Sequence, residues 1–318
     1  MRAVTIALFL AAALAASASH AAPLSARTPA KVLFSKVELP APGAPRPIGS
    51  YASGCMSGAE ALPIAGSHWQ VMRLSRNRNW GQPELIQYIE TFAGDAAGDG
   101  WNGLLVGDMA QPRGGPMITG HASHQIGLDV DVWLTPMPDH VMSRDERETK
   151  AAQSLLVKGK RLTLDTGKWS DVDLKLYKRA ASYPAVVRIF ANPAIKQQLC
   201  ETAGTDRAWL RKIRPWYGHD DHMHIRLACP PGIAGCIDQA LPPPGDGCGK
   251  DLAWWFRPPP PPPKHPVKPK PPPPEKTLAD LPAACTQILT EGSGGVALTA
   301  GIPAPEPEPA SADASGGD

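Results

Sequence analysis

The chain has 318 residues, 42% of them apolar, which is material for one large domain or two small ones with a true core. Its formal net charge of +2 is far from the basic stripe of a nucleic-acid binder, so neither DNA nor RNA is expected as a partner. No stretch beyond the N-terminus approaches the roughly twenty consecutive apolar residues of a membrane span, which argues against stable membrane insertion.

In chain order, Met1-Arg2, the mostly apolar run Ala3 to Ala16 and the small-x-small pattern Ser19-His20-Ala21 have the layout of a cleavable secretory signal over residues 1–21. The mature chain then starts near Ala22, in an oxidising compartment. Residues 22–50 are rich in Pro, Ala and Ser and predict an extended surface segment, with the core opening at Tyr51 and the main domain running over 51–256. Gln82-Pro83 predicts a helix start, with Pro in the first turn and Leu85, Ile89 and Phe92 on one stripe. Gly127 to Trp133 alternates strictly, placing Asp129, Asp131 and Trp133 on one face of a strand and Leu128, Val130 and Val132 on the other. Ala185 to Phe190 reads as a buried strand, and Asn192-Pro193 as a capped helix start running to Cys200. The charge run Arg207 to Arg214 predicts a solvated helix face, or less favourably a contact to an anionic polymer. His222 to Leu227 alternates again, with His222, His224 and Arg226 on one side and Met223, Ile225 and Leu227 opposite.

Past Phe256 the six prolines Pro258 to Pro263 and the Lys-Pro alternation to Pro274 predict a stiff polyproline II excursion over 257–285. Residues 286–318 contain no aromatic and no Lys or Arg, and predict a disordered tail. Six cysteines behind an export signal, with no Cys-x-x-Cys, point to three disulfides rather than a zinc ribbon. Cys229 and Cys236 bracket Pro-Pro-Gly-Ile-Ala-Gly and form the natural local pair.

Five of the nine histidines lie in two short segments, Gly120 to Asp131 and His219 to His224. A lone His-x-x-His or His-x-His is usually a surface feature, but two of them on converging polar strand faces predict a divided metal site. His124, entering from the turn before the first strand, can meet His224 and a carboxylate there. Asp129 and Asp131 both face the cleft, and the alternation does not separate them. Two imidazoles and one carboxylate suit hydrolytic Zn2+ with an open position. His222 then stands beside that position as a general base, and His219 can orient or stabilise an oxyanion. His68, His140 and His265 read as solvated surface residues. Arg113, in the Pro-Arg-Gly-Gly loop before the histidines, is a candidate for a substrate carboxylate or the oxyanion, with a surface arginine as the plainer alternative. Gly-x-Ser-x-Gly, His-Glu-x-x-His and Gly-rich phosphate loops are absent.

At Gln111-Pro-Arg-Gly-Gly-Pro-Met117, Gly120-His-Ala-Ser-His-Gln-Ile-Gly-Leu-Asp-Val-Asp131, Asn192-Pro-Ala-Ile-Lys-Gln-Gln-Leu-Cys200 and His219-x-x-His-Met-His224, the chain resembles the penicillin-insensitive murein endopeptidases. These are a branch of the metallopeptidases that include lysostaphin-type enzymes, D-Ala-D-Ala peptidases and the hedgehog fold. The resemblance spans about Ala30 to Cys285. It implies Zn2+ held by His124, Asp131 and His224, with His222 and His219 catalytic, and so selects Asp131 over Asp129. The implied substrate is the D-alanyl to meso-diaminopimelyl cross-link between peptidoglycan stem peptides, in the periplasm. β-Lactams acylate a serine nucleophile, and such a site presents none. The implied disulfides are Cys55–Cys285, Cys200–Cys248 and Cys229–Cys236. Some relatives hold a second metal with the equivalent of His121 plus an Asp and a His farther on. Here the basic run Lys158-Gly-Lys-Arg161 falls in that place, which makes His121 a supporting residue first and a second-metal ligand second. The expected fold is α+β, with a central antiparallel sheet carrying the site, flanking helices and an irregular Pro-rich C-terminal region. A D-Ala-D-Ala carboxypeptidase or dipeptidase, and a non-catalytic wall-binding protein, are the alternatives. The oligomeric state is not legible in the residues.

Overall fold

The structure is a computed structural model that describes residues 24–25, 27–258, 261, 271–292, 294–296 and 298–299. The expected secretory signal, most of the polyproline run, His265 and the tail beyond 300 lie outside these residues.

Seven helices are described: α1 (Ala30–Phe34), α2 (Pro83–Gly98), α3 (Arg144–Thr149), α4 (Asp171–Ser182), α5 (Pro193–Thr202), α6 (Lys250–Trp255) and α7 (Ala284–Thr290). Six of the strands form small two-stranded pieces: β1 (Leu24–Ser25) with β13 (Leu298–Thr299), β2 (Arg46–Ser50) with β3 (Ser53–Ser57), and β4 (Glu60–Ala61) with β7 (Trp80–Gly81). The other seven make one sheet: β5 (Ala65–Gly66), β6 (Trp69–Val71), β8 (Leu104–Val106), β9 (Asp129–Trp133), β10 (Val186–Ala191), β11 (Ile213–Pro215) and β12 (His222–Leu227). Their spatial order is β11-β10-β12-β9-β8-β6-β5.

The fold is α+β, and its sheet is mixed rather than wholly antiparallel. From β10 through β12 and β9 to β8 every pairing is antiparallel. Beyond them, β6 pairs β8 and β11 pairs β10 in parallel. Parallel neighbours need a crossover, and α2 and α5 supply it in the two cases. Both helices begin as their sequences dictate. Pro83 occupies the first turn of α2, and Asn192 Oδ1 caps α5 by accepting from the Ala194 N–H at 2.9 Å. The α2 stripe of Leu85, Ile89 and Phe92 is fully buried, in one core with Leu128, Val130 and Val132 of the β9 region and Met223, Ile225 and Leu227 of β12. The apolar strand faces thus serve the core and leave the polar faces for the site.

Two expectations are corrected at the chain ends. Residues 30–34 form α1, with Ala30, Leu33 and Phe34 buried, rather than part of an extended surface segment, and residues 284–290 form α7, so order continues past Cys285. Leu33, Phe34, Ile288 and Leu289 build a second core with Ile48, joined by the Cys55–Cys285 disulfide. The other disulfides are Cys200–Cys248 and Cys229–Cys236. The Arg207–Arg214 run is also not a solvated helix face. It is a 3-10 turn at Ala208–Lys212 that buries Trp209 and Leu210, with Arg207 paired to Asp246 and Lys212 donating to the Ala181 and Tyr183 carbonyls. The apolar pair Trp209 and Leu210 between the basic residues pins the turn to the core rather than facing it to water. No helix among the described residues is long and apolar enough to cross a membrane.

Candidate metal centre and active site

The β9–β12 register puts His224 opposite Asp131, Arg226 opposite Asp129 and His222 opposite Trp133. Directly opposed residues share a sheet face with Cβ atoms about 5 Å apart, so three polar pairs stack along one surface. His124 reaches that surface from a turn in which it adopts a left-handed φ of 64°, held by its own N–H donating to Asp129 Oδ2 at 3.0 Å. Gly127, at φ 72°, closes the turn against Met56, where a side chain would collide with Sδ. His219 has a left-handed φ of 49° as well. Non-glycine residues rarely take this conformation, and they concentrate at functional sites.

Three donor atoms meet on this face. His124 Nε2 lies 3.2 Å from His224 Nδ1 and 3.4 Å from Asp131 Oδ1, and the latter two are 3.5 Å apart. Ligands at about 2.0–2.1 Å from a tetrahedral zinc are about 3.3 Å from one another, so the triangle has the dimensions of one face of such a site. Asp131 Oδ1 is buried and accepts no hydrogen bond, an arrangement that costs free energy unless a cation satisfies it. The donor set therefore fits a divalent metal with nitrogen and oxygen ligands.

Asp129 has a different surrounding. Its Oδ1 lies 3.2 Å from His224 Nε2 and accepts from Arg226 Nε at 2.7 Å. A carboxylate there fixes the proton of His224 on Nε2 and leaves the Nδ1 lone pair pointing into the triangle. Burial works against the charge on Asp129, but Arg226 and then His224 outweigh it and hold the carboxyl well below its ordinary range. Asp131 is likewise held low against burial, chiefly by His121 and His222.

His121 completes a group of four donors lying within 4.8 Å of one another. Its Nε2 stands between Asp131 Oδ2 at 3.3 Å and Asp108 Oδ2 at 3.2 Å. Asp108 is a site residue that the sequence reading missed. It is buried, accepts from Arg78 at 2.7 Å and Arg76 at 3.0 Å, and arrives from the chain just after β8. No spacing links it to the histidine motif; only strand adjacency brings it there.

His222 Nδ1 donates to Asp221 Oδ1 at 2.6 Å, which leaves its Nε2 facing the cleft 3.9 Å from Asp131 Oδ1. Burial lowers the imidazole's proton affinity, yet Asp131 first and Asp221 next push its pKa up to about 9. Asp221 was inside the quoted motif without a role; its signal was adjacency to His222. The His219 ring stands 5.0 Å from that of His222, with Nδ1 3.2 Å from the Tyr217 carbonyl. Around these groups is a cleft of about 330 Å³ walled by Gly107, Asp108, Trp133 and Asp221, with Arg73 and Arg76 at its edge. His68 is exposed and His140 pairs with Glu146 at the surface, both away from the cleft.

Arg113 does not reach the site, nor is it a surface residue. Its side chain is fully buried, donating from Nε to the Leu39 carbonyl at 3.0 Å and from Nη1 to the carbonyls of Ile288, Leu289 and Glu291 at 2.6, 3.1 and 2.7 Å. Gly114 and Gly115, at φ 66° and 76°, turn the loop inward so that the guanidinium meets the C-terminal end of α7. It is a clamp on the second core.

A model of the family described as penicillin-insensitive murein endopeptidase matches residues 47–290. A protein of that name from Haemophilus influenzae is 47% identical over 259 residues, covering 80% of this chain and 87% of its own. Another, from Klebsiella pneumoniae, is 44% identical over 267 residues, 84% of this chain and 94% of its own. One from Escherichia coli is 44% identical over 285 residues, 90% of this chain and 97% of its own. The matched residues carry both strands of the histidine–aspartate triangle and all six cysteines, and a likeness of this depth and length makes the chain a member of the penicillin-insensitive murein endopeptidase family.

Proposed function

We propose that this chain is a zinc-dependent D,D-endopeptidase of the periplasm that hydrolyses D-alanyl to meso-diaminopimelyl cross-links of peptidoglycan. The observation that carries the reading is the His124–Asp131–His224 triangle, with donor separations of 3.2, 3.4 and 3.5 Å and an imidazole standing beside it. His124, Asp131 and His224 would hold the zinc, which would supply a Lewis acid for the scissile carbonyl and for the attacking water, whose pKa falls to about 7 in such sites. A cation held by Asp131 would offset the charge that raises the His222 pKa, so that His222 Nε2 can take the proton of the attacking water and deliver it to the departing amine, while Asp221 holds the ring in that tautomer. His219 donates to the oxygen that gains charge. Asp129 and Arg226 keep His224 in register, and His121 with Asp108 steadies the second oxygen of Asp131. No serine lines the cleft among the described residues, so a β-lactam meets no nucleophile to acylate. Three disulfides suit an oxidising compartment, and residues 1–21 are the leader that delivers the chain to it.

The test is a digest of purified cross-linked muropeptide dimers followed by mass spectrometry. Dimers should fall to monomers, a chelator should stop the reaction, and zinc should restore it. Release of terminal D-alanine alone, with dimers intact, would replace this reading by a carboxypeptidase.

A further inference from the structure

A second hollow stands next to the catalytic cleft. Ala151 and Ala152 form part of the cleft wall, and the next residues, Gln153 and Ser154, open this second and larger groove of about 1380 Å³. Across from them, Asp221 and His222 border the cleft and Asp220 borders the groove. The two hollows are therefore lined by consecutive stretches of chain and stand next to each other, with the Ser154–Asp220 hydrogen bond between the two walls.

One side of the groove is aromatic. The Trp255 ring lies 4.9 Å from Tyr217, 5.3 Å from Trp254 and 5.9 Å from Trp216 between centroids. Trp254 is 53% exposed, a large apolar surface turned to water where every other Trp, Tyr and Phe among the described residues is at least partly buried. The facing loop is cationic: Lys158 and Lys160 are exposed, and the Arg161 guanidinium lies 5.2 Å over the Tyr217 ring. Among the described residues no carboxylate pairs with these three side chains. Asp220, the one carboxylate in the groove wall, is hydrogen-bonded by Ser154 Oγ. Three unneutralised positive charges beside an aromatic platform repel a second cation and favour an anion with apolar surface.

We propose that this groove is a substrate subsite for the carboxylate-bearing stem peptide on one side of the scissile bond. Lys158, Lys160 and Arg161 meet its carboxylates, and Trp254 and Trp255 cover its methyl and backbone surfaces. The assignment rests on the peptidase reading of the adjoining cleft, and it specifies which chemistry the cleft selects. A meso-diaminopimelyl residue and a peptide C-terminus each present a free carboxylate, whereas the scissile amide itself is neutral. The groove lies beyond the reacting atoms, so it contributes to binding in the ground state and the transition state alike and acts on KM.

The experiment compares the zinc-loaded full chain with a Lys158→Gln, Lys160→Gln, Arg161→Gln triple variant and with Trp254→Ala, all substitutions at exposed positions. On cross-linked muropeptide dimers the triple variant should raise KM about tenfold with kcat nearly unchanged, since each of the three solvent-screened charges contributes about twofold. Added salt should raise KM for the wild type and much less for the variant. An unchanged KM, or a loss confined to kcat, overturns the proposal. A second arm needs no turnover. Tryptophan fluorescence is titrated with the un-cross-linked stem tetrapeptide and with the same peptide amidated at its carboxylates. The acid form should bind the wild type several-fold more tightly, and Trp254→Ala should lose most of the signal. Equal binding of acid and amide overturns the groove assignment even if the protein hydrolyses no dimer, a result that by itself would count against the peptidase reading only.

Discussion

Two aspartates on one strand face, two residues apart, have opposite duties here because of what stands across from each. Asp131 faces His224 and turns an oxygen into the triangle; Asp129 faces Arg226 and spends both oxygens holding His224 and His124 in place. His124→Ala, Asp131→Ala and His224→Ala should each lose bound zinc and activity together, whereas His222→Ala should keep the metal and lose about two to four orders of magnitude in turnover. Metal content per protein, measured beside turnover, separates these roles; a zinc-free His222→Ala with a fully loaded Asp131→Ala reverses them. For Arg113 the expectation is the contrary of a binding residue. Lysine cannot reach four carbonyls with a single ammonium, so Arg113→Lys should lower unfolding free energy by about 2 kcal/mol and leave KM as it was. Urea unfolding and steady-state kinetics on the same sample check it, and a raised KM at unchanged stability would return Arg113 to the substrate. The loop motif around Arg113 was legible; its partners, 74 to 178 positions away, were not.

At the scale of elements, the sequence displays most clearly those that are long or strictly periodic. The alternation through Asp131 and His224 is visible because one face serves the core and the other the cleft, and the Pro83 and Asn192 starts are visible because caps are local chemistry. The five-residue α1 and seven-residue α7 show too little of a 3.6-residue period to stand out, and their burial depends on each other. Asp108 enters the site only through the pairing of β8 with β9, which no local pattern announces. On α5, Lys196 is fully buried and donates to the carbonyls of Leu210 and Asp246, both at 2.7 Å. Burial, reinforced by the Arg214 charge, pushes its pKa down to about 7, against about 10.4 in an unfolded chain. Between those values the unfolded state holds a proton that the folded state has released, so this residue's contribution to stability grows as pH rises and is lost as pH falls through about 7. The urea midpoint of the wild type should therefore gain on that of Lys196→Met from pH 7 to 10. Parallel curves for the two proteins would show that Lys196 stays charged in the fold.

Over the whole molecule, the two ends of the described residues close on each other: α1 and α7 share one core with the β2–β3 hairpin, and β1 pairs with β13. Deleting residues 284–318 uncovers that core and removes the Cys55–Cys285 bond, and should cost at least about 4 kcal/mol. Deleting only residues 301–318 removes none of the buried side chains named above and should change stability by less than about 0.5 kcal/mol. Thermal unfolding of the two truncations decides the matter, and equal midpoints would mean that α7 contributes little. The separation of 230 positions between Cys55 and Cys285 also has a meaning in time. Synthesis adds about 5–20 residues per second, so Cys55 waits for its partner for roughly 10–50 s, while Leu33, Phe34 and Ile48 lack the helix that covers them. A chain interrupted before residue 285 keeps an uncovered apolar face and a reactive thiol, both features that proteases and chaperones read. The last helix thus works as a seal of completion, set only on a chain that has been made to its end and has reached an oxidising compartment.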